Sequence, residues 1–79
     1  MKIMNNEEER LRIGNRIKEE RERMKLSYRD LSELSGVTPN NIWKIEKGKY
    51  NVGFDILCRL AKSLNCQIEI TRFDTNIQV

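Results

Sequence analysis

The chain contains no histidine, one proline and only two cysteines in 79 residues. Each scarcity removes a class of function. Without histidine the commonest metal ligand and near-neutral general base is missing, and Cys58 and Cys66 have nothing with which to complete a zinc site. Two cysteines are also too few for a disulfide framework, so both read as reduced thiols at packed positions. No uninterrupted apolar stretch approaches the roughly 20 residues that cross a bilayer. Residues 1–6 turn acidic where a secretory signal would turn apolar, and the expectation is a cytoplasmic protein without membrane contact. There is no Gly-rich phosphate loop after a strand and no nucleophile beside an evident base. The chain is therefore not expected to be an enzyme, and no catalytic residue, metal site or cofactor is expected.

What the chain does have is charge, with 15 Lys and Arg against 12 Asp and Glu, a formal net charge of +3 and a sequence pI near 9.1. That balance permits a phosphate-binding surface without requiring one. The length fits one small domain with a marginal core, to which an oligomer contact would add.

Hydrophobic spacing predicts four helices. Residues 7–25 carry Leu11, Ile13, Ile17 and Met24 among charged side chains, with Glu7, Glu8 and Glu9 at the start and Arg21 and Arg23 near the end, as the helix dipole favours. Ser27 followed by Asp30 predicts a capped second helix running to Ser35, with Leu31 and Leu34 facing the core and Gly36 as its left-handed stop. Thr38 and Pro39 suit the cap and first turn of a third helix, residues 38–47, which Gly48 ends. Phe54, Leu57, Leu60, Ala61 and Leu64 mark a fourth, core-facing helix that stops near Asn65. The period then changes: Cys66, Ile68 and Ile70 alternate with Gln67, Glu69 and Thr71, which predicts a strand over residues 67–73.

The expected fold is all-α, a four-helix bundle with a short C-terminal β-strand paired across a dimer. Its parts are an N-terminal segment (1–6), a helix-turn-helix domain (7–65), a dimerisation strand (66–73) and a loose tail (74–79). Two copies of the strand can pair antiparallel, covering Ile68 and Ile70.

The informative unit is two short helices joined by a Gly-Val turn. If Ile42 and Ile45 are buried, Asn40, Asn41 and Lys44 project outward. Those side-chain types pair with adenine and guanine edges in the major groove. They are equally ordinary as solvated residues on a small bundle.

A resemblance decides between the two. From Ile13 to Leu64 the chain resembles the lambda-repressor-like helix-turn-helix domains of the Cro/C1 and Xre type. The likeness is carried by Ile13-Gly14, Ile17, Arg21, Ser27, Leu31, Gly36-Val37, Ile42, Ile45-Glu46-Lys47-Gly48-Lys49, Asn51, Leu57, Leu60-Ala61 and Leu64. It implies that Thr38, Pro39, Asn40, Asn41 and Lys44 contact bases, and that Ser27, Tyr28, Lys47, Lys49, Tyr50 and Asn51 contact the DNA backbone. Trp43, exposed if Ile42 and Ile45 face inward, either packs along the sugar-phosphate backbone, contacts a base methyl or folds back on the bundle. Arg21 and Glu46 match a structural ion pair joining the first helix to the recognition helix. Pro39 and Tyr28 depart from the polar residues usual at their positions. Tyr28 can donate to phosphate or act as an aromatic lid, and Tyr50 can cover the core instead of a phosphate. Arg16 and Lys18 are further candidates for flanking phosphate contacts.

The C-terminal strand resembles that of antitoxins of the HipB kind. The reading that follows is a sequence-specific transcriptional regulator acting as a repressor, a homodimer on double-stranded DNA. The alternatives are an antitoxin that also binds a toxin protein and autoregulates its operon, and a protein-interaction adaptor that does not bind DNA.

Overall fold

Hydrogen bonds at the helix ends set the architecture. The computed structural model describes residues 4–72, and among them lie four helices: α1 (Asn6–Arg23), α2 (Tyr28–Ser35), α3 (Pro39–Glu46) and α4 (Phe54–Ser63). The Asn5 side chain accepts the Glu8 N–H at 2.8 Å while the Glu8 carboxylate accepts the Asn5 N–H at 3.0 Å, a capping box that starts α1 slightly earlier than its charge pattern suggests. Ser27 and Asp30 form the same reciprocal pair, both bonds at 3.0 Å. The Ser27 N–H is the largest influence holding the Asp30 carboxyl below its usual range. Thr38 Oγ1 accepts the Asn41 N–H at 3.3 Å, with Pro39 in the first turn of α3.

Three helices end in one way. Beyond α1, α3 and α4 the chain enters the left-handed region at Lys25, Gly48 and Asn65. In each case the next N–H returns to a carbonyl inside the helix: Leu26 to Arg21 at 3.0 Å, Lys49 to Lys44 at 2.9 Å, Cys66 to Ala61 at 2.8 Å. These are Schellman closures, which satisfy carbonyls that a helix C-terminus otherwise leaves unpaired.

The caps aim the helices so that α3 packs on α1 and α2, and α2 also packs on α4. Ile17, Leu31, Val37, Ile42, Ile45, Leu60 and Leu64 form the core, with Ile13, Leu26, Ile56, Leu57 and Cys66 packed around it. At Gly14 α1 comes so near α3 that an added Cβ would collide with the Ile45 carbonyl oxygen and lie 2.7 Å from that of Glu46.

Three expectations are corrected. Leu34 is 60% exposed, because the inward line of α2 runs through Leu31 and Ser35 and turns Leu34 away. Phe54 is 67% exposed; it opens α4, and the packed line of Leu57, Leu60 and Leu64 passes beside it. The expected strand is also missing among the described residues, because a strand requires a partner edge and the rest of the described chain offers only helices. After the Cys66 closure, residues 67–72 are exposed, including Ile68 and Ile70. Phe73, the tail (74–79) and residues 1–3 of the N-terminal segment lie outside the described residues. Among the described residues no helix is long and apolar enough to cross a membrane.

Two substitutions test this packing. Gly14→Ala should lower unfolding stability by about 1–3 kcal/mol in urea titrations, since both obstructing atoms are backbone. Lys25→Gly should raise stability by about 0.5–1 kcal/mol by relieving a left-handed lysine, offset in part by the freedom of glycine in the unfolded chain.

Candidate nucleic-acid interface

The turn between α2 and α3 is held at every residue. Gly36, at φ 76°, donates its N–H to the Ser32 carbonyl at 2.8 Å. Val37 is buried and donates to Ser35 Oγ at 3.1 Å. From α4, Arg59 Nε donates to the Ser35 carbonyl at 3.1 Å, placing a cation at the C-terminus of α2 where the helix dipole favours it. Spacing gave no sign of the Arg59 contact, because an arginine on a helix face looks the same whether solvated or capping.

The turn fixes which way α3 faces. Side chains advance about 100° per residue, so burial of Ile42, Ile45 and Glu46 turns Asn40, Lys44 and Lys47 to the opposite side. Pro39 and Trp43 lie along one flank and Asn41 along the other. Thr38, Pro39, Asn40, Trp43 and Lys47 are exposed, and Asn41 and Lys44 are half-buried. Of the expected base-contacting set, Asn40 and Lys44 therefore share the outer face of α3, with Pro39 and Asn41 on its two flanks and Thr38 at its cap. Beside it, past the α3 closure, Lys49 and Asn51 are exposed, while Tyr50 is half-buried against the core.

Behind this surface lies the Arg21–Glu46 pair. Arg21 Nε and Nη2 donate to Glu46 Oε2 and Oε1 at 2.7 and 3.1 Å, and Nη1 donates to the Leu26 carbonyl at 2.8 Å. The Glu46 side chain is only 1% exposed. The Tyr28 hydroxyl donates to Glu46 Oε1 at 3.1 Å, and the Arg21 guanidinium stands 4.2 Å from the Tyr28 ring centroid. Three helices thus meet at one carboxylate. The hydrogen bonds to Glu46 hold the Arg21 guanidinium more firmly protonated than usual. Burial first, and the Glu46 charge next, push the Tyr28 phenol up.

Sequence reasoning placed Arg21 and Glu46 together but missed the third member, because tyrosine in place of a polar residue gives no indication of its partner. Ser27 is engaged in capping α2. Arg16 is bound to Glu19 at 2.6 Å and Glu20 at 3.0 Å, so this flanking candidate already has carboxylate partners; Lys18 is half-buried. Cys58 and Cys66 are half-buried free thiols. No group of three side chains suited to a metal occurs among the described residues.

Arg21→Ala should cost about 3–5 kcal/mol in urea unfolding, because it leaves Glu46 buried without its cation. Tyr28→Phe should cost about 1 kcal/mol near neutral pH. A raised folded-state pKa means that the stabilisation from Tyr28 is complete below the ordinary phenol pKa of about 10 and is lost as pH rises through the folded value. The alkaline fall in stability should therefore be shallower in Tyr28→Phe.

Compared with known families, residues 17–70 match the family model described as Helix-turn-helix, which covers more than half of the chain. No curated protein and no solved structure matches it.

Proposed function

Because the chain belongs to the Cro/C1-type helix-turn-helix family, we propose that it is a sequence-specific transcriptional regulator that lays α3 in the major groove and represses by occluding its site. The observation that carries this reading is the polarity of α3. Its one carboxylate, Glu46, is buried against Arg21, while Asn40, Lys44 and Lys47 stand on the opposite face. A surface of amides and ammonium groups without a carboxylate suits phosphate and base edges together.

In this reading Asn40 and Asn41 pair with adenine, Lys44 with guanine, and Thr38 and Pro39 make apolar contact with a thymine methyl. Lys47, Lys49, Tyr50, Asn51 and the Ser27 end of α2 hold the backbone. Tyr28, its hydroxyl bound to Glu46, braces α3 from behind. The reading includes a homodimer, since paired half-sites roughly 34 Å apart are the usual geometry for this motif. Ile70, at 98% exposure, offers apolar surface for that contact.

Selection of randomised duplex DNA on the purified protein, followed by sequencing, tests the proposal. Enrichment of a palindrome with half-sites one helical turn apart supports it, and binding without enrichment contradicts sequence-specific reading. Lys44→Ala should weaken binding to the enriched site by about 1–3 kcal/mol while leaving binding to scrambled duplex nearly unchanged. Ile70→Lys should lower the dimer fraction in sedimentation without changing the helical content.

A further inference from the structure

Trp43 is the chain's single tryptophan, and 38% of it remains exposed. It sits on the flank of α3, outside the core. The Lys49 ammonium stands 5.5 Å from the centre of its ring, within the range of a cation–π contact. Backbone geometry produces this proximity: Gly48, at φ 69°, reverses the chain, and the Lys49 N–H closes onto the Lys44 carbonyl at 2.9 Å. The residue after the reversal is thereby laid back over the last turns of its own helix, where a Schellman closure usually brings an apolar pair together. Here the pair is an indole and a cation. Lys49 forms no ion pair among those described, so its charge remains available, and Lys44 and Lys47 continue the same positive surface along α3.

We infer that Trp43 is a positioning residue for Lys49: the indole face holds the ammonium at the edge of the recognition helix, oriented toward a DNA phosphate before the duplex arrives. A lysine on an open loop loses side-chain freedom when it binds phosphate, whereas one already resting on a ring loses less. This rests on the reading of α3 as a DNA-binding helix and adds a division of labour within it. Trp43 supplies order and Lys49 supplies charge.

The test is a double-mutant cycle on the full chain, read by anisotropy of a labelled, randomised duplex pool between about 50 and 200 mM salt. Lys49→Met should lower the salt slope by about 0.9, the share of one phosphate. Trp43→Leu keeps an apolar cover without a π face and should weaken binding about two- to five-fold, the range of an exposed cation–π contact. In the Lys49→Met background the same change should cost almost nothing. Trp43→Phe and Lys49→Arg should each retain most of the affinity. In the free chain, Lys49→Met should alter the Trp43 emission spectrum, and thermal melts should show all variants folded.

If the losses from Trp43→Leu and Lys49→Met simply add, Trp43 does not act through Lys49 and the inference fails while DNA binding stands. Unchanged Trp43 emission in Lys49→Met likewise contradicts the resting contact. If the unsubstituted chain binds no duplex at the lowest salt, the DNA-binding reading fails and takes this inference with it.

Discussion

The carboxylate of Glu46 is the point on which the orientation of α3 depends. It ends α3, is buried, and accepts hydrogen bonds from Arg21 on α1 and Tyr28 on α2. A carboxylate placed there without partners would be strongly destabilising, so the fold accommodates Glu46 only where all three helices keep their relative positions. The pair's net contribution to stability is modest, because both ions are withdrawn from water. Its effect is on specificity of arrangement: apolar packing of Ile42 and Ile45 tolerates small rotations of α3, whereas a two-point guanidinium contact does not.

That constraint links the core to the proposed function. Holding Glu46 inward removes negative charge from the outer surface of α3 and, by helical geometry, sets Asn40, Lys44 and Lys47 outward. The Gly14 approach has the same effect two turns earlier along α1, which meets the Ile45 and Glu46 carbonyls there without a side chain between them. The Schellman closure at Gly48 then returns Lys49 to the same edge. The groups proposed to read bases and to hold phosphates thus share one rigid support, as recognition of a duplex requires.

Local chemistry made much of this legible from sequence. The Ser27–Asp30 box, the Thr38–Pro39 start and the glycine stops at Gly36 and Gly48 are short-range signals whose partners lie within a few residues. The Arg21–Glu46 pair was legible only through family likeness. Tyr28 to Glu46 and Arg59 to Ser35 were not legible, because each joins residues well separated in sequence and neither residue type announces its partner. Leu34 misled because three-residue spacing from Leu31 fits a helix face, whereas Ser35 occupies the inward line. Residues 67–72 show the converse: alternation specifies which side chains share a face, but a strand exists only where a second edge accepts its hydrogen bonds.

The most direct test of the account is backbone amide NMR of the labelled protein titrated with its selected duplex. The account predicts that the largest shift changes fall on residues 38–44 and 47–51, with α4 little affected. Changes centred on α4 or on the outer face of α1, with α3 unmoved, would contradict it.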